Sequence, residues 1–95
     1  MKFIQIMESL GSAEESIEAV KEYLASAANE TKLKRIAICE DRDKPGVMIS
    51  IVEFASWEDA SQNNDLEVTN ETAEKEQAKS DVNFRNLDVH AEWEL

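Results

Sequence analysis

The densest chemistry in the chain is the octet Cys39-Glu40-Asp41-Arg42-Asp43-Lys44-Pro45-Gly46, which holds its only cysteine and its only proline. Three carboxylates and two cations occupy its five positions from Glu40 to Lys44. Asp41, Asp43 and Gly46 fall where a calcium loop places its first, third and sixth residues. The fifth place is then Pro45, which has no side-chain ligand, and the twelfth is Val52 where a bidentate glutamate belongs. Zinc is excluded more broadly, because one cysteine and one histidine cannot supply three or four nitrogen and sulfur ligands. Cys39 has neither an activating base nor a helix N-terminus beside it, only Glu40 and Asp41, so it reads as an inert strand cysteine. Pro45-Gly46 between two apolar runs is hairpin punctuation.

The remaining candidates are dispersed. Glu53 continues the parity of Val47, Ile49 and Ile51, so a carboxylate ends an otherwise apolar face. It is either a base at a pocket edge or an ion-pair partner at a subunit interface. Trp57 and Asn63 follow on a short helix, six residues apart. At 100° per residue they point to different faces, one looking inward and the other along a rim, with Trp57 reading as a packing residue rather than a ligand platform. Arg85 follows Phe84 near the start of the last strand, where it either anchors an anionic or carbonyl group or pairs with a local acid. His90 is the only histidine and has no partner at catalytic spacing, so a partly exposed strand histidine is the plain reading. With Gly11 and Gly46 as the only glycines, neither a phosphate-cradling loop nor a nucleophile elbow can form. No acid–base pair stands out, so no residue is assigned a catalytic role.

Hydrophobic patterning supplies the elements that would position these groups. Lys2 to Glu8 alternates like a strand. Gly11 breaks the chain, and Ser12-Ala13-Glu14-Glu15 forms a capping box. The stripe Ile17, Val20, Leu24, Ala27/Ala28 predicts a helix ending near Asn29. Leu33 to Glu40 and Val47 to Phe54 are strands, the first with Ile36 and Ile38 on one face and Ala37 and Cys39 on the other. Ser56 caps a helix running to about Asn63 that resumes near Thr69. Val82 to Trp93 is a long closing strand. Between Asn64 and Asp81 only Leu66, Val68, Ala73 and Ala78 are apolar among eighteen residues, which predicts either a low-stability lid or a solvated outer helix.

The order β-α-β-β-α-β is the ferredoxin-like split βαβ pattern, an α+β fold with a four-stranded antiparallel sheet and two helices on one face. The first and third strands should be central, because both of their faces are apolar: Phe3 and Met7 against Ile4 and Ile6, and Met48, Val52 and Phe54 against Val47, Ile49 and Ile51. Two helices cover one face. The other would be a large exposed apolar patch in a monomer, so a homodimer through the helix-free face is expected.

Ninety-five residues suit a single domain spanning 1–95 with one modest core. The net charge of −11 disfavours nucleic acid and anionic membrane surfaces as partners. One cysteine suits a reducing compartment, MKFIQIMESLG is too polar for a signal core, and no run reaches the length of a membrane span, so a cytoplasmic location is expected.

The segments MKFIQIM, CEDRDKPG followed by SIVEF, SWEDA with Asn63 after it, and FRNLDV together resemble the dimeric α/β-barrel superfamily, near the antibiotic biosynthesis monooxygenase group, over essentially the whole chain. The resemblance implies two sheets facing each other across a dimer and a pocket between helices and sheet. It implies an oxygenase-like activity without cofactor on a small aromatic or apolar substrate, with Asn63, Arg85, Trp57 and Glu53 as its contacts. Members that degrade haem hold iron through a histidine on the helix after the third strand. Asn63 or Asn64 stands there in this chain, and neither is a normal haem ligand. The superfamily also holds members without catalysis, so a dimeric small-molecule-binding or stress-related module is the alternative.

Overall fold

Two eight-residue runs with apolar residues at both parities, β1 (Phe3–Leu10) and β3 (Val47–Phe54), form the centre of the sheet. The structure is a computed structural model describing residues 1–27, 30–64 and 82–95. The remaining elements are α1 (Ala13–Ala27), β2 (Leu33–Glu40), α2 (Trp57–Asn64) and β4 (Asn83–Asp88), and the strand order is β2-β3-β1-β4 with all neighbours antiparallel. This is the ferredoxin-like α+β arrangement that the element order predicts. The expected resumption of a helix near Thr69 and, beyond Asn64, the lid or solvated-helix reading of the Asn64–Asp81 stretch fall outside the described residues.

Directly opposed residues of antiparallel strands share a face, so the register assigns each side chain to a side. Phe3, Val52 and Phe54 form a buried cluster with Ala60 of α2, with Met7 and Leu33 packed against it. Met48 is buried on the same face. The helix-free face carries Ile4, Ile6, Ile49 and Ile51, with Ile6 directly opposite Ile51, Ile4 opposite Glu53 and Ile49 opposite Glu8. In β2, Leu33 opposes Phe54 and Arg35 opposes Glu53, leaving Lys34 as the extra residue of a bulge. The bulge changes parity. Leu33 joins the helix-side core while Arg35 reaches the other face, which uninterrupted alternation would forbid.

Both helices begin as their caps dictate. Ser12 Oγ accepts from Glu15 N at 3.2 Å, and Ser56 Oγ accepts from Asp59 N at 3.2 Å. The α1 stripe departs from the expected one in part: Ala27 is buried as expected and Tyr23 is buried beside it, whereas Ile17 and Leu24 are exposed. The reason is polar, since the Tyr23 hydroxyl engages a buried hydrogen-bond network described below. The closing strand also differs, ending at Asp88 and not near Trp93. Its ladder with β1 stops at Phe3 opposite Asp88, followed by one further bond from Val89 N to Lys2 O at 2.9 Å. A strand persists only where its neighbour offers paired backbone groups.

The opening octet is a hairpin whose acids serve the turn. Glu40 Oε2 accepts from Gly46 N at 3.1 Å and Asp41 Oδ1 accepts from Asp43 N at 2.9 Å. Gly46 has φ 90°, a left-handed conformation open mainly to glycine. Its carbonyl accepts from Gly11 N at 2.9 Å, tying the hairpin to the β1–α1 turn.

Candidate functional site

The most completely specified polar structure lies on the helix side, at the end of α2. Asn63 is 3% exposed, although a primary amide is costly to bury unpaired. Its Oδ1 accepts from Thr31 Oγ1 at 3.0 Å and from Lys32 N at 2.8 Å, and its Nδ2 donates to the Tyr23 hydroxyl at 3.0 Å. Thr31 has one hydroxyl proton, already given to Asn63, so in its 3.2 Å contact with Tyr23 the tyrosine donates. The three side chains close a ring in which each bond polarises the next. Leu33 N donates to Thr31 Oγ1 at 3.3 Å. The ring locks α2 to α1 and to the start of β2, and it fills both lone pairs of the Asn63 carbonyl.

Trp57 is the first residue of α2 and stands at the other end of it. Its ring meets Phe3 edge-on, centroids 5.2 Å apart at 64°, while 51% of its surface stays exposed. Phe3 in turn lies 6.2 Å from Phe54. Trp57 thus extends the buried aromatic cluster to the surface, a fixed apolar wall with one open flank. Asn63 is thus buried and Trp57 half-exposed.

Glu53 and Arg85 are on the opposite side of the sheet. Glu53 pairs in register with Ile4 and Arg35, and Arg85 with Ile6. The Glu53 side chain is 15% exposed, with Lys2 Nζ at 3.8 Å and Arg35 Nε at 3.9 Å. Lys2 also donates to Glu92 Oε1 at 2.8 Å. That hydrogen bond raises the lysine pKa above its ordinary 10.5; slight desolvation opposes the rise, the Glu53 and Glu92 charges add to it, and Arg35 counters it. A charged cluster therefore borders the apolar field of the helix-free face. One molecule lodged between helices and sheet cannot touch all four expected contacts, because the sheet separates Asn63 and Trp57 from Glu53 and Arg85.

Two further polar groups went unnoticed in the sequence. Gln5 Nε2 donates to Asn86 Oδ1 at 3.0 Å across β1 and β4, on the helix side. The signal was present: Gln5 interrupts the apolar parity set Phe3, Met7, and Asn86 shares parity with Phe84. Tyr23 and Thr31 were missed as well, because their role depends on Asn63, far away along the chain.

No family model and no curated protein matches the chain. Solved structures do match over nearly its whole length. A candidate antibiotic biosynthesis monooxygenase from Deinococcus radiodurans superposes with a TM-score of 0.76 at 11% identity, covering 98% of this chain and 97% of that one. A variant of SnoaB, a cofactor-independent oxygenase from Streptomyces nogalater, gives 0.79 at 13% identity, covering 96% and 95%. Rv0793 from Mycobacterium tuberculosis gives 0.75 at 9% identity, covering 97% and 98%. The chain therefore has the ferredoxin-like fold of these antibiotic biosynthesis monooxygenase-like structures.

Proposed function

We propose that the protein is a homodimeric, oxygenase-like enzyme that works without a cofactor and holds a small aromatic or apolar molecule on the helix side of its sheet. The observation carrying this reading is the exposed Trp57 wall, rooted in the Phe3–Phe54 cluster beside a rigidly braced α2. Such a wall holds a planar molecule in one orientation and strips water from its face. Those are the contributions a protein makes when an electron-rich substrate itself supplies the electrons to dioxygen. The likeness to SnoaB, a cofactor-independent oxygenase, supports the same reading through the fold. Asn63 then acts chiefly by holding α2 in place.

The dimer rests on the helix-free face. Ile4, Ile6, Ile49 and Ile51 share that face, with the Lys2, Glu53 and Arg35 cluster at one end, which suits the apolar centre and polar rim of an isologous interface. Trp93, 80% exposed, adds apolar surface to the segment beyond β4. With its one cysteine free, the protein belongs in a reducing, cytoplasmic setting.

Oxygen uptake with hydroxylated polycyclic aromatics tests the enzyme reading. Stoichiometric uptake with an oxygenated product supports it, and binding without uptake leaves the non-catalytic binding module. That second reading is favoured by one observation: the Asn63 carbonyl is fully engaged within the fold.

A further inference from the structure

Two charges interrupt the apolar residues of the helix-free face. Glu8 lies directly opposite Ile49, and Arg85 directly opposite Ile6. Both are exposed, and among the described residues neither side chain has an ion-pair or hydrogen-bond partner. The other charges near this face differ, because Glu53 holds both Lys2 and Arg35, at 3.8 and 3.9 Å. Glu8 opposes Asn83 of β4, so Arg85 is its diagonal neighbour. Such neighbours stand about 7–8 Å apart, and these two close no ion pair within the chain.

Covering the face with apolar surface alone would strand a carboxylate and a guanidinium without water, which is strongly destabilising. A second copy of the chain brings both missing partners. An isologous contact is reciprocal, so if Glu8 meets Arg85 of the second copy, Arg85 meets its Glu8. The spacing allows this. Same-face residues lie about 6.8 Å apart along a strand, and neighbouring strands about 4.8 Å apart. On that lattice the two-fold axis exchanging Glu8 with Arg85 crosses the strands obliquely and runs past Ile6 and Ile51, which oppose each other on this face. One axis therefore pairs both charges and lays Ile6 and Ile51 on their own copies. It also brings Ile4 of one copy towards Ile49 of the other.

We infer that Glu8 and Arg85 form two reciprocal ion pairs between copies of the chain, and that these pairs set the register in which the helix-free faces dock. This rests on the homodimer reading and adds the residues that choose the partner and its orientation. Arg85 then answers an acid and anchors no ligand.

The test mixes two charge-reversed chains. In a Glu8→Arg homodimer cation faces cation at both contacts, and in an Arg85→Glu homodimer anion faces anion. Each should dimerise at least about 100-fold more weakly than wild type in sedimentation equilibrium. Mixed one to one, the two chains regain opposite charges at both contacts and should form a heterodimer within about tenfold of the wild-type affinity. Mixing cannot restore a bridge inside one chain, because each chain keeps its own like-charged pair. Where a reversed chain fails to fold, Glu8→Gln and Arg85→Gln replace it. Each should weaken the dimer about tenfold, and the double variant no further than either alone. Reversals that dimerise like wild type, mixed chains that stay monomeric, or strictly additive Gln variants overturn the pairing and leave the homodimer standing. Wild type that is monomeric at micromolar concentration overturns both.

Discussion

The two faces of one sheet are built from similar apolar residues and put to different ends. The helix side is aromatic and locked: Phe3, Phe54 and Trp57 interact ring to ring, and the Tyr23–Thr31–Asn63 ring fixes the helix above them. The helix-free side is mainly aliphatic, with Lys2, Arg35 and Glu53 clustered at one end and Glu8 and Arg85 opposite Ile49 and Ile6. Aromatic contacts and closed hydrogen-bond rings demand one geometry, so they suit a face that must present a site in a fixed shape. Flat aliphatic surface with charges at its edge tolerates docking and undocking.

The sharpest way to break this contrast is to truncate the locked face. Phe54→Ala should cost about 3–5 kcal/mol in urea denaturation, because it opens a cavity among Phe3, Val52 and Ala60. Next comes Asn63→Ala, which strips partners from Tyr23, Thr31 and the Lys32 amide. It should cost about 1–3 kcal/mol, and combining it with Thr31→Val should cost clearly less than the sum of the two changes. Strict additivity would show that the three side chains do not act as one ring.

The helix-free face should respond in the opposite way. Ile51→Glu should halve the mass seen by light scattering, while shifting the stability of the isolated chain, measured where wild type is also monomeric, by less than about 1 kcal/mol. A wild-type protein that is monomeric at micromolar concentration would remove the basis for the dimer.

The smallest effect belongs to Lys2. Its folded pKa is raised, so the stability it gains from Glu92 is fully present below pH 10.5, its ordinary value, and fades as pH climbs through the raised one. The difference in denaturation midpoint between wild type and Glu92→Gln should therefore be present at neutral pH and vanish in strong alkali. A difference that grows with alkalinity would invert the assignment.

Much of this architecture was legible in the sequence. Period-two alternation placed β1 and β2, a run apolar at both parities placed β3, the serines at 12 and 56 marked both helix starts, and Pro45-Gly46 marked the hairpin. These are local properties of the backbone and its nearest side chains. The site was legible only in outline. Helical rotation set Trp57 and Asn63 on different faces of α2, but nothing local showed that Asn63 is bound to residues 32 and 40 positions away. Glu53 and Arg85 looked like companions of Asn63 because β3 and β1 are apolar on both faces, and parity alone cannot say which face receives the helices.

The sequence by itself thus determined the elements, their order, and that the central strands are apolar on both faces. Only the tertiary structure decided which face is which, through the packing of Ala60 on Phe3, Val52 and Phe54. It also brought Gln5 to Asn86 and Tyr23 to Asn63, pairs 81 and 40 residues apart. Such contacts depend on how elements dock, and docking is set by the fit of whole surfaces rather than by the pattern of any one segment.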